Sequence, residues 1–165
     1  MNIVDLLSSA DAMVEPRTLD KVQLLRELSA RAAASLHLAP GLVADAILKR
    51  EDLGSTGMGS GVAIPHARFS DLKKSYGILV RLRKPIDFDA VDGRPVDIVF
   101  LLITPSAPES DQLNALACIA RKLRNPEVIL DLRQAKDGAA VYEAVANSGV
   151  ASPSGSPRIA SPSAQ

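Results

Sequence analysis

From Val96 to Ile103 the chain reads Val-Asp-Ile-Val-Phe-Leu-Leu-Ile, an apolar run with no polar alternation. A strand with one face in water alternates apolar and polar residues, because successive side chains point to opposite faces. A run of this kind therefore has both faces covered, as in a sheet with helices on each side.

The flanking segments supply the pieces such a sheet needs. Leu25, Leu28, Ala32 and Leu36 recur at helical spacing after Thr18, a good N-cap. A second helix follows Ala39-Pro40, with Val43, Ala44, Ile47 and Leu48 inward and Gly54 placed to stop it. Val62-Ala63-Ile64 reads as a strand that should lie at an edge, or end, at Pro65, which has no N–H to give to a ladder. Tyr76 to Leu82 and Ile86 to Phe88 read as strands, and Asp92-Gly93 is a turn signal. Ser106 and Glu109 have capping-box spacing before a helix with Leu113, Leu116, Ala117, Ala120 and Leu123 on one side. Asn125-Pro126 opens a further helix, and a last one carries Val141, Tyr142 and Val145. The expected fold is a single α/β sandwich over residues 1–149, a sheet with helices on both faces. Residues 150–165 are mostly Ser, Pro and Ala, too polar and Pro-broken to join a core, and read as a disordered tail.

Composition narrows the function. Lys plus Arg and Asp plus Glu number 19 each, so no net positive charge draws a nucleic acid. Cys118 is the single cysteine, which rules out an intrachain disulfide and fits a reducing compartment. No stretch approaches the ~20 apolar residues of a membrane span, and the N-terminus lacks signal-peptide character. The expectation is a cytoplasmic protein without membrane insertion. One cysteine and two histidines also fall short of a four-ligand structural zinc set.

Of the two histidines, His37 ends the first helix, where an imidazolium faces the C-terminal dipole, and no function is assigned to it. His66 follows Pro65 and the loop Gly54-Ser55-Thr56-Gly57-Met58-Gly59-Ser60-Gly61. Such a loop has two readings: a flexible turn beside an incidental histidine, or an anion nest of exposed N–H groups with Ser55 and Thr56 hydroxyls beside a nucleophilic imidazole. Familiar nucleotide motifs do not fit. No Gly-Lys-Ser/Thr follows the loop, the loop runs from helix to strand rather than strand to helix, and kinase signatures are absent.

The segment from Ile47 to Arg68, with Arg50-Glu51-Asp52-Leu53-Gly54-Ser55-Thr56-Gly57 and Ala63-Ile64-Pro65-His66, resembles the enzyme IIA component of the bacterial phosphoenolpyruvate-dependent phosphotransferase system, fructose/mannitol type. A second block, Phe88 to Leu102, resembles the same family, and the likeness extends over about residues 3–147. The resemblance implies a mixed β-sheet flanked by helices on both faces, with His66 as the phosphorylated histidine. It implies a phosphohistidine on an HPr-type carrier protein as donor, with no metal or nucleotide cofactor. Arg50 corresponds to a basic residue near that site, and a solvated helix-end arginine is its alternative reading. Where many members carry a second histidine, this chain has Gln112, which can hydrogen-bond but not take a proton. The free-standing chain and the Leu6-Leu7 opening favour the nitrogen-regulatory subgroup. The alternatives are a fructose- or mannitol-specific component passing phosphate to a IIB protein, and a binding module that keeps only the fold.

Overall fold

The computed structural model describes residues 1–147, so the last two residues expected in the domain, and the expected tail, lie outside the described residues. A 3-10 turn over Ile3–Asp5 leads into β1 (Leu7–Glu15), followed by α1 (Lys21–Leu36) and α2 (Pro40–Asp52). Then come β2 (Gly57–Gly59), β3 (Val62–Ala63), β4 (His66–Phe69), β5 (Tyr76–Ile86) and β6 (Val96–Pro105). Helices α3 (Glu109–Leu123), α4 (Pro126–Gln134) and α5 (Gly138–Ala146) complete the domain.

The six strands form one mixed sheet in the order β1-β5-β6-β3-β2, with β4 also on β6. The run Val96–Ile103 is the central strand that its composition requires, antiparallel to β5 and parallel to β3 and β4. Its side chains feed two cores by simple alternation. Val99, Leu101 and Ile103 pack with Leu25 and Leu28 of α1 and Val43 and Ile47 of α2. Ile98, Phe100 and Leu102 pack on the other face with Ile119 of α3, Val128 of α4 and Val141 of α5. All six of these β6 side chains are fully buried, and each fully buried large aliphatic or aromatic side chain contributes roughly 1.5–3 kcal/mol of transfer free energy.

Strands β3 and β4 are one path along β6 broken at Pro65. Ala63 sits opposite Val99 and His66 opposite Leu102, so the register runs on unchanged across the gap. Pro65 accepts from the Leu102 N–H at 2.9 Å but has no donor to return, and β3 ends just before it as its missing N–H dictates.

Several local expectations are corrected. Helix α1 is capped by Asp20, whose carboxylate accepts from the Gln23 N–H at 2.8 Å, rather than by Thr18. The Ser106–Glu109 capping box does not form: α3 opens at Glu109 after an extended Pro108. A helix from Ser106 would need Ala107 helical, and a residue before proline is pushed out of that region. The buried face of α3 is Ala115, Ile119 and Leu123, which leaves Leu113 and Ala117 exposed. Strand β5 runs unbroken to Ile86 and takes up the start of what reads in the sequence as a separate strand.

Candidate phosphoryl-transfer site

The break at Pro65 delivers His66 to the first position of β4, at an edge of the sheet. Here a cleft of about 410 Å³ opens between α2 and α3. Lys49 and Arg50 line it from α2, Leu53 from just past the end of that helix, His66 and Arg68 from β4, and Gln112 from α3.

The imidazole of His66 is held by its own chain. Its Nδ1 lies 2.8 Å from the carbonyl oxygen of Ile64. A carbonyl can only accept, so Nδ1 carries the proton and Nε2 keeps the lone pair. Burial pushes the ring below the ordinary histidine value, the bond to Ile64 opposes this, and the positive charges of Arg50 and Arg68 push it further down while Glu51 pulls it up. The result is a neutral ring of fixed tautomer, with a nucleophilic nitrogen, in a cleft lined by three cationic side chains.

Arg50 is anchored where helix α2 ends: its Nη1 donates to the Gly54 carbonyl at 3.0 Å. The next residue, Glu51, is buried and organises the turn below. Both of its oxygens accept from the Thr56 N–H at 3.2 Å, the Thr56 hydroxyl donates to it, and Lys21 Nζ of α1 lies 3.0 Å away. Lys21 in turn donates to the Phe88 carbonyl at 3.0 Å and sits 4.5 Å from the centre of the Phe88 ring.

These bonds redistribute the roles expected of the Gly-rich loop. The Ser55 hydroxyl donates to the Phe88 carbonyl at 2.8 Å and accepts from the Gly57 N–H at 3.1 Å. With the Thr56 hydroxyl committed to Glu51, neither group lines the cleft beside His66. The glycines instead make the β2–β3 hairpin, where Gly59, Ser60 and Gly61 all have positive φ. A nest-like turn does hold an anion there, but it is the chain's own: the Ser60 N–H donates to the Asp92 carboxylate at 2.9 Å. Arg50, His66 and Gln112 are therefore brought together, and Ser55 and Thr56 shape the floor that carries them. His37 is the left-handed C-cap of α1 and does not line this cleft.

Lys49, Leu53, Arg68, Glu51 and Lys21 also build the site, although no role is legible for them in the sequence. Arg68 had a signal for its position: extended backbone past Pro65 puts residues 66 and 68 on one face. Glu51 and Lys21 had none, since their partner choice depends on α1 meeting α2 in three dimensions.

Residues 6–148 match the family described as phosphoenolpyruvate-dependent sugar phosphotransferase system, EIIA 2. The chain belongs to the EIIA 2 family. Among similar EIIA 2 relatives is the nitrogen regulatory protein of Bradyrhizobium diazoefficiens, 42% identical over 88% of this chain and 95% of its own length. The nitrogen regulatory protein of Escherichia coli K12 is 38% identical over 76% of this chain and 77% of its own. Among solved structures, the nitrogen regulatory protein IIA-Ntr of Neisseria meningitidis superposes with a TM-score of 0.80 at 30% identity, covering 87% of this chain and 98% of that one. The mannitol IIA of Escherichia coli shares the fold, with a TM-score of 0.70 at 18% identity over 85% of this chain and 99% of that one. Among the described residues no group of three or more His, Cys, Asp or Glu side chains is placed to hold a metal, and no helix is long and apolar enough to cross a membrane.

Proposed function

We propose that this EIIA 2 protein is a cytoplasmic, nitrogen-related regulatory phosphoryl carrier that accepts its phosphoryl group on Nε2 of His66 from a phosphohistidine of an HPr-type carrier. The observation that carries the reading is the 2.8 Å bond from Nδ1 to the Ile64 carbonyl, which leaves Nε2 unprotonated in a cation-lined cleft. The Nε2 lone pair forms the new N–P bond as the donor's N–P bond breaks, and the donor imidazole keeps that electron pair. Nδ1 retains its proton throughout, so the phosphorylated ring gains positive charge that the Ile64 carbonyl stabilises. Arg50 offers a planar fork to the equatorial oxygens, and Gln112 offers an amide N–H. Ser55 and Thr56 support the site through the turn that seats Arg50 and Glu51. Fixed geometry and charge placed in advance supply the rate enhancement, without metal or nucleotide.

The test is phosphorylation from phosphoenolpyruvate with enzyme I and HPr-type carriers, followed by intact-mass analysis. One acid-labile phosphoryl group is expected, lost in His66→Ala and retained in His37→Ala. Labelling that persists in His66→Ala overturns the assignment. The same labelled protein separates the downstream roles: transfer onward to a IIB protein supports sugar uptake, whereas phosphorylation-dependent capture of non-transport proteins supports regulation.

A further inference from the structure

Resting on the reading of His66 as acceptor, we propose that Arg68 is a second phosphoryl-binding cation held in reserve by Glu109, and that its transfer to the phosphoryl group reports the state of the site to the start of α3. Strand β4 and helix α3 lie side by side as two rungs. His66 and Arg68, two apart on a strand, share a face, and Glu109 and Gln112, three apart on a helix, share another. One rung places Gln112 in the cleft with His66. The other places Arg68 Nη1 3.4 Å from Glu109 Oε1.

The second rung is built to be exchanged. The Arg68 and Glu109 side chains are 43% and 76% exposed, and an exposed pair at this separation is weak. A phosphoryl group on His66 brings close to two negative charges to the same face of β4 and offers oxygens that suit the guanidinium fork. Arg50 already has a backbone anchor at Gly54, so Arg68 is the arginine of the cleft whose resting partner is itself an exposed, competing anion. When Arg68 turns to the phosphoryl group, Glu109 loses the tie that joins the first turn of α3 to β4. A carboxylate that was neutralised then stands unpaired at the rim of the cleft. A partner protein is thereby given a charge difference, beyond the phosphoryl group itself, with which to tell the two states apart.

The test uses the full chain with a trace of HPr-type carrier, which shuttles phosphoryl groups between parent and variant until their partition, read by intact mass, stops changing. Glu109→Gln should hold several-fold more phosphoryl group than the parent, and Arg68→Ala several-fold less. In the Arg68→Ala background, adding Glu109→Gln should change nothing, because the carboxylate acts through the arginine. The backbone amides of Glu109 and Ser110 should shift clearly more on phosphorylation of the parent than of Arg68→Ala, whereas that of Gln112, which faces the phosphoryl group itself, should shift in both. If Glu109→Gln gives the same gain without Arg68, its charge acts directly on the phosphoryl group and the exchange is overturned. Equal partition across all four proteins overturns it too, while His66 stands as acceptor. A parent protein that gains no phosphoryl group, or that keeps it in His66→Ala, removes the acceptor reading and the exchange together.

Discussion

Lys21 at the start of α1 and Glu51 near the end of α2 meet at 3.0 Å, with only 17% and 4% of their side chains exposed. The pair is well satisfied, since the lysine also holds the Phe88 carbonyl and the glutamate also holds Thr56. Removing one partner of a buried pair strands the other charge. Glu51→Ala should cost ~3 kcal/mol, which for a chain of this size lowers the melting temperature by roughly 6–12 °C. Glu51→Gln should cost less, because an amide oxygen still accepts from Thr56. Thermal melts of the two variants beside the parent check this, and equal losses would mean that the Thr56 bond adds nothing and that the charge pairing with Lys21 is all that Glu51 contributes.

Burial pushes the His66 imidazole below its ordinary 6.5, which favours the neutral form in the folded protein. The sign follows from linkage: the unfolded chain binds the proton more readily, so this contribution to stability is complete above the unfolded value and is lost as pH falls through the lowered folded one. Phosphoryl acceptance should follow the same course, level above neutrality and falling in acid as Nε2 takes a proton. An NMR titration of the ring reads the midpoint directly, and a value at or above 6.5 would contradict the buried, neutral imidazole.

At Gly57 a Cβ would lie 2.8 Å from Cβ and 2.9 Å from Cα of Ala90, where neither neighbour has a flexible end to move. Gly57→Ala should therefore push β2 and the Phe88–Ala90 segment apart, at about 1–3 kcal/mol by the usual cost of overpacking. Urea denaturation should show the loss as a lower midpoint at unchanged slope. A neutral result would mean that the Ala90 segment shifts freely.

Gln112 shares the cleft with His66, and its amide gives a hydrogen bond whose strength does not depend on pH. A histidine there would donate a charge-assisted bond once protonated, about twice as strong as a neutral one. Gln112→His should keep the fold and the acceptor, and its phosphorylated form should outlast the parent's near pH 6 by more than near pH 8. Decay followed by mass spectrometry at both values checks it. Identical decay would show that residue 112 does not touch the phosphoryl group.

The sandwich was legible because Val96–Ile103 admits only a strand covered on both sides, and because α1, α2 and α4 carry clear apolar stripes. Strand β1 was not, since Leu7–Glu15 has no clean alternation and gains its place only by pairing with β5. Strand β4 was hidden by Pro65, which looks like an end but is a pause before the same path resumes. At the candidate site, His66 and Arg50 could be placed from the motif around them and Gln112 from its departure from the family pattern, and all three line one cleft. The fate of Ser55 and Thr56 was not: a hydroxyl's partner is decided by whichever acceptor the tertiary fold brings near, here Phe88 and Glu51.

The irregularity of β1 has a bearing on how this protein behaves among its neighbours. Leu7 faces Gly77 and Ala12 faces Leu79, so four residues of β1 stand against one of β5 between those two rungs. β1 is the outermost strand on its side, and at the opposite end β2 spans just Gly57–Gly59. A straight outer strand is a template onto which another chain can add, copy after copy. Here one margin is puckered by surplus backbone, and the other consists of short pieces, β2 and β4. A domain whose central strand is buried on both faces thus presents little straight edge for fibre-like stacking, and trimming Ser8, Ser9 and Ala10 to straighten the margin should weaken that protection.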